Sequence, residues 1–340
     1  MKKLLLISPL ASKSLLGGDF YFRLPSVGLL KVASLTPPDW QVSIIDEKVE
    51  KLDLKQEADL VGITSMTPAV NRGYEIADHF RQRGIKVVMG GMHISNMPEE
   101  ALKHCDSVVI GEAEDVWGSV LRDAASGALK RTYEAGRKTD LKTCKNPSRS
   151  VLSKGKYFSD IVQTTKGCPF HCEFCSVYAY DGMTIRSKTV DQVVSEILEI
   201  NHSGSKFKKK SIFFADDNII SDKKFSRELF LALKPYKLNW SCQASINIAM
   251  DDELLRLMKD SGCGAILIGF ESISEKNLSR MDKKVNMRLN YIDAIKKIQS
   301  YGILIHASFI LGYDFDTDAT FDELADFIEE SKLLMPLVNI

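Results

Sequence analysis

The apolar residues of this chain fall in short runs separated by stretches with helical spacing. Leu4 to Ile7, Val42 to Ile45, Leu60 to Ile63, Val87 to Met89 and Val108 to Ile110 read as strands. Val27 to Leu35 and Val70 to Arg83 read as helices between them. Buried parallel strands show as Val/Ile/Leu runs, and alternation with helices implies βαβ crossovers. The first ~125 residues are therefore expected to form a doubly wound, Rossmann-like α/β domain.

From about Gly127 to Tyr157 the pattern turns polar, and this stretch reads as a linker. The predicted division is 1–126 for the first domain, 127–157 for the linker and 158–340 for the second domain. In the second domain a new alternation begins with a strand at Ile161 to Thr165 and a helix near Val190 to Asn201. Further strands are predicted at Ser211 to Ala215, Trp240 to Ala244, Ala265 to Phe270 and Ile305 to Leu311. Helices fit at Asp222 to Leu233, Asp252 to Ser261 and Asn290 to Tyr301. Leu337 to Ile340 looks like a sixth strand beginning, so the expected architecture is a partial βα barrel that stops where a barrel should continue.

Composition narrows the class. The chain has 340 residues, with 45 Lys plus Arg against 45 Asp plus Glu, so no net field favours a polyanion and no nucleic-acid partner is expected. The basic run Lys206 to Lys210 reads as a solvated loop. MKKLLLISPL mimics a charged leader, but its apolar core is short and it reads as a buried strand. No run approaches the ~20 apolar residues needed to cross a bilayer, so no transmembrane segment is expected. Seven cysteines, three of them within eight residues, argue against a disulfide framework and for a cytoplasmic location.

The three are Cys168, Cys172 and Cys175, in KGCPFHCEFCS. Thiolates this close on a Gly- and Pro-containing loop can converge on one metal centre. A structural zinc would want a fourth Cys or His, and the other cysteines, Cys105, Cys144, Cys242 and Cys263, form no CxxC pair. A [4Fe–4S] cluster on three thiolates leaves one iron open for a ligand. Structural cysteines and zinc remain the alternatives from the residues alone.

The spacing Cys168-x3-Cys172-x2-Cys175 at the end of a first barrel strand resembles the radical S-adenosylmethionine (SAM) enzymes, from Ile161 to the end. The resemblance implies that the open iron chelates SAM and that a cluster electron cleaves it to a 5′-deoxyadenosyl radical. It implies SAM contacts at Phe174, Asp216, Asp217, Asn218, Gln243, Ser245, Glu271, Ser272, Ile310 and Gly312. Asp216-Asp217-Asn218 departs from the Gly-Gly-Glu segment usual after the second strand. The resemblance further implies a small-molecule or lipid-like substrate and a one-electron reductant such as flavodoxin or ferredoxin.

The amino-terminal half is similar to the cobalamin-binding domain of one radical SAM subfamily, which includes the anaerobic magnesium-protoporphyrin cyclase and several C-methyltransferases. The matching stretches are SVGLLKVAS, Asp59 to Thr64, GGMHISNMPEEAL and VVIGEAED. Cobalamin contacts are then expected at Ser65, Met66, Thr67, Gly90, Gly91, His93 and Glu112. The Asp-x-His-x-x-Gly signature of a lower cobalt ligand is absent, and His93 is not read as one. The function implied is methylation or rearrangement of an unactivated carbon. A methylthiotransferase would need three further cysteines in the first domain, where only Cys105 and Cys144 are available. A non-catalytic iron–sulfur or zinc protein is the other alternative.

Overall fold

The computed structural model describes residues 1–10, 23–152, 156–203 and 211–340. The basic run at 206–210 lies outside them. Contacts divide the chain into two compact units, Met1–Asp160 and Ile161–Ile340.

The first unit holds a six-stranded sheet of β1 (Lys2–Ser8), β2 (Trp40–Asp46), β3 (Leu60–Thr64), β4 (Lys86–Gly90), β5 (Ser107–Ile110) and β6 (Thr132–Glu134), with helices α1 (Val27–Leu35), α2 (Val70–Gln82), α3 (Met92–Asn96), α4 (Pro98–Ala101) and α5 (Trp117–Ser126). The order is β2-β1-β3-β4-β5-β6, every pairing parallel. The MKKLLLI segment is β1, and Leu4 to Ile7 are buried on both faces. Leu5, Ile7, Val61 and Ile63 pack with α2, while Leu4, Leu6, Leu60 and Val88 pack with α1 and α5. A strand buried on both faces has no polar face to show, which is why β1 reads as a solid apolar run.

The stretch expected as a linker is not bare chain. It carries β6, which pairs with β5, and it clusters with the first unit as far as Asp160. Only Tyr133 of its three residues is buried, and its hydroxyl donates to Asp123 at 2.7 Å. One buried side chain leaves no run for the pattern to show.

The second unit holds a sheet in the order β7 (Ser159–Val162), β10 (Ser211–Phe214), β11 (Trp240–Gln243), β12 (Cys263–Glu271), β13 (Leu304–Ile310) and β14 (Met335–Asn339). A separate antiparallel pair joins β8 (Thr165–Lys166) to β9 (Arg186–Ser187). Its helices are α6 (Val177–Tyr180), α7 (Val190–Ser203), α8 (Lys223–Leu233), α9 (Asp252–Ser261), α10 (Glu275–Arg280), α11 (Tyr291–Ser300) and α12 (Ala319–Ser331). The main strands follow chain order, as in a βα barrel, and β14 is the sixth strand the pattern anticipated. Alternate residues of β10 to β13, including Phe214, Trp240, Ile268 and Phe309, pack against α7, α8, α9, α11 and α12. Trp240 lies between Phe214 and Phe230, with ring centroids 5.2 and 5.3 Å away.

Ile161 to Thr165, expected as one strand, is broken in two. Thr164 turns away to bind Asp216, so the pairing with β10 ends at Val162 and a second pairing starts at Thr165.

Candidate active site

The three cysteines lie on the loop after β8, at the carboxyl end of the β7 crossover. Gly167 sets the loop's course with φ +92°, and a Cβ there would sit 2.6 Å from the Thr184 carbonyl oxygen. Its amide donates to Asp217 at 3.1 Å, and the Cys168 amide donates to the Gly182 carbonyl at 3.3 Å. The Cys175 amide closes a turn on the Cys172 carbonyl at 3.0 Å, and the Glu173 amide donates to the Met281 carbonyl at 3.0 Å. Cys172 is buried and Cys168 and Cys175 are half-buried; none is in a disulfide. Burial pushes the Cys168 and Cys172 thiols up; Cys168 lies in the electrostatic field of Cys175, and Cys172 in that of Cys175 and Cys168. Among the described residues no group of three or more His, Cys, Asp and Glu side chains is placed to hold a single metal ion.

The donor chemistry fits an iron–sulfur cluster. Three thiols stand on one tethered loop, and a metal deprotonates such thiols on binding. His171 packs at a tilt of 37° against Tyr178, 4.1 Å between centroids.

At the end of β10 the three polar residues have separate tasks. Asp216 is fully buried, accepting from the Thr164 amide at 2.7 Å, the Thr164 hydroxyl at 2.8 Å and the Thr165 amide. Burial raises its carboxyl to about 6. With its oxygens committed inside the protein, Asp216 positions the start of the cysteine loop; the expected SAM contact is not available to it. Asp217 is half-buried, and burial with the Asp181 charge raises it to about 6. The Asn218 amide nitrogen donates to the Ser245 hydroxyl at 3.0 Å, and the Ser245 backbone amide donates to Asn218 Oδ1 at 3.2 Å. Ser245 Oγ also donates to Asn247 at 2.7 Å. These bonds tie the ends of β10 and β11 together. Gln243 is half-buried at the end of β11, with its backbone carbonyl accepting from the Ile219 amide.

Glu271 ends β12 in the left-handed region, φ +64°, where the register with β13 shifts. Non-glycine residues rarely adopt this conformation. Its Oε1 lies 2.9 Å from Lys283 Nζ, and both side chains are largely buried. Ser272 is buried, and its hydroxyl accepts from the Ser274 amide at 3.1 Å. Phe174 is partly exposed, with Lys283 Nζ 5.6 Å from its ring centroid. Ile310 is half-buried at the end of β13, and the exposed Gly312 donates its amide to Asp316 at 2.9 Å. Sequence reasoning missed Lys283, which sits in a loop between α10 and α11 with no local signal. Only the fold brings it to the cysteine loop.

In the first unit, Ser65, Gly90, Gly91 and His93 meet at the carboxyl ends of β3 and β4, where open α/β sheets take ligands. The Ser65 amide donates to the Gly90 carbonyl at 3.0 Å, and the His93 amide donates to the Ser65 carbonyl at 3.3 Å. Met66 and Thr67 are exposed beside them. His93 Nδ1 is 3.1 Å from Thr67 Oγ1, and its Nε2 is 3.5 Å from Glu100 Oε1. Nδ1 is thus engaged by Thr67, while Nε2 is buried near the Glu100 carboxylate without a hydrogen bond. Glu112 is buried and accepts the Thr139 amide at 2.7 Å, so its carboxylate anchors the segment beyond β6.

Comparison with known proteins agrees with this geometry. Residues 162–328 match the Radical SAM superfamily, and residues 13–121 match the B12 binding domain. The chain is similar to two enzymes of Chlorobaculum tepidum. It is 32% identical to bacteriochlorophyllide d C-8(2)-methyltransferase, over 91% of this chain and 71% of that one. It is 30% identical to bacteriochlorophyllide d C-12(1)-methyltransferase, over 100% of this chain and 75% of that one. Among solved structures, the cobalamin-dependent S-adenosylmethionine radical enzyme OxsB with aqua-cobalamin bound shares the fold with a TM-score of 0.79 at 18% identity; the match covers 100% of this chain and 54% of that chain. A radical SAM domain implies a [4Fe–4S] cluster and SAM, and a B12 binding domain implies cobalamin. The chain belongs to the radical SAM superfamily, as an enzyme of the group in which a B12 binding domain precedes the radical SAM domain.

Proposed function

We propose that this enzyme methylates, or rearranges, an unactivated carbon of a small-molecule or lipid-like substrate with the help of cobalamin. The observation that carries the reading is the loop of Cys168, Cys172 and Cys175 at the strand ends of a partial barrel, in a chain whose earlier residues match the B12 binding domain. The cluster, when bound, supplies the electron that cleaves SAM to a 5′-deoxyadenosyl radical. The protein supplies the rest: Asp216 and Gly167 shape the thiol loop, and Asn218 with Ser245 joins the neighbouring strand ends. Asp217, Gln243, Glu271, Ser272, Phe174, Ile310 and Gly312 are the residues proposed to hold SAM. Ser65, Met66, Thr67, Gly90, Gly91 and His93 are the surface for the corrinoid.

The electron would come from a small carrier such as flavodoxin or ferredoxin, and free cysteines support a cytoplasmic location. No helix among the described residues is long and apolar enough to cross a membrane. The methylthiotransferase alternative has little support in the first unit. Cys105 is buried, its thiol donates to the Ala101 carbonyl at 3.1 Å, and burial pushes it up to about 12.

Anaerobic reconstitution tests the reading. The parent chain should bind iron, take up a corrinoid and form 5′-deoxyadenosine under reduction, and Cys168→Ala, Cys172→Ala and Cys175→Ala should each abolish that product. Zinc at one per chain without SAM binding would overturn it.

A further inference from the structure

Lys283 is a largely buried cation that nothing in the sequence pattern marks, and the chain around it is built to hold it still. Its Nζ donates to Glu271 Oε1 at 2.9 Å. It stands 5.6 Å from the centroid of Phe174, the residue before Cys175. The segment leading to it is fastened to the cysteine loop by the Glu173 amide on the Met281 carbonyl, and the Lys283 amide donates to the Leu278 carbonyl at 2.9 Å. Four non-glycine residues among those described have positive φ, and two of them, Glu271 and Asp282, belong to this arrangement. Backbone strain of this kind persists where the surroundings over-determine it, and it clusters at functional sites. Gly269 makes room for the Glu271 carboxylate, since a Cβ there would meet Oε1 at 2.1 Å.

We propose that Lys283 is a charge-compensating residue of the cluster site: held by Glu271, its ammonium faces the thiolate loop and raises the potential at which the cluster accepts an electron. Net charge and nearby charges are levers on cluster potential, and they act strongly where water is excluded. Once three thiolates have formed on the loop, one carboxylate and one ammonium leave the site negative, and an added electron makes it more so. A fixed cation opposes that cost. Glu271 orients the ammonium and also tempers it, so the two residues should move the potential in opposite directions.

The inference rests on the proposed cluster site, and the test separates the two. The reconstituted chain is titrated potentiometrically without SAM, with electron paramagnetic resonance of the reduced cluster as readout and iron per chain and circular dichroism as checks. Lys283→Met should shift the midpoint to a more negative potential, Lys283→Arg should restore it, and Glu271→Gln should shift it to a more positive one. A purely structural pair would not give opposite signs. If Lys283→Met loads iron poorly, the Glu271→Gln and Lys283→Arg arms still decide. A loaded, SAM-cleaving parent whose potential is indifferent to Lys283→Met, or a Glu271→Gln shift to the negative side, overturns this inference alone. A parent that binds no cluster overturns both.

Discussion

The Asp216 carboxylate accepts both the backbone amide of Thr164, at 2.7 Å, and the hydroxyl of the same residue, at 2.8 Å. One acid at the end of β10 thereby ends β7 and aims the chain into the cysteine loop.

That burial has a pH signature. The Asp216 carboxyl titrates at about 6 in the folded chain against an ordinary value of 3.8. Between those values the folded state holds more protons than the unfolded one, so stability falls as pH rises. The group's contribution is present below about pH 4 and lost by about pH 6, amounting to ~3 kcal/mol at 1.36 kcal/mol per pK unit. Asp216→Asn keeps an acceptor for the two amides and removes the titration. Urea unfolding of the metal-free chain at pH 4 to 7 checks this: the stability of the parent relative to Asp216→Asn should decline by that order across the window. A constant difference would refute the assignment.

Gly167 is the second hinge of the loop. Any side chain there meets both the left-handed backbone and the Thr184 carbonyl at 2.6 Å. Gly167→Ala should leave the fold intact by circular dichroism, since the residue lies outside the core clusters, and should depress iron loading far below the parent. Full loading would mean that the loop reaches its ligating shape by another route.

Much of this was legible in the sequence, for identifiable reasons. β1, β3 and β4 are buried on both faces, and Leu4 to Ile7 could be nothing but core. The cysteine spacing carries its chemistry on its face. What escaped depends on contacts between residues far apart. β6 has one buried residue, Asp216 looks like any loop acid until Thr164 closes on it, and Lys283 joins the site through Glu271, twelve positions away in sequence. Glu112 follows β5 in plain view, but its bond from the Thr139 amide joins residues 27 positions apart.

Iron counting separates the proposed activity from methylthiolation. If the cysteine loop holds the chain's cluster, Cys105→Ala and Cys144→Ala together should leave about four irons per chain, one cubane's worth, unchanged. Cys105 contributes packing and a weak bond to Ala101, so its loss should cost on the order of 1 kcal/mol in stability without touching metal content. A loss of iron in the double variant would bring the first unit's thiols back as ligands.

The corrinoid site makes the last prediction. His93 is held on one side by Thr67 at 3.1 Å and on the other by Glu100 at 3.5 Å, and Tyr74 donates its hydroxyl to the same Glu100 at 2.9 Å. Freeing the ring to ligate cobalt would break the Thr67 hydrogen bond and draw Nε2 away from the Glu100 carboxylate. His93→Ala should therefore retain a corrinoid whose ultraviolet–visible spectrum matches the parent's, with affinity reduced by the lost polar contacts. His93→Gln, which can still reach Thr67, should bind more tightly than His93→Ala. If either variant changed the spectrum from a histidine-ligated to an unligated form, the histidine would be a cobalt ligand, and the engaged ring seen here would be a resting arrangement that the cofactor displaces.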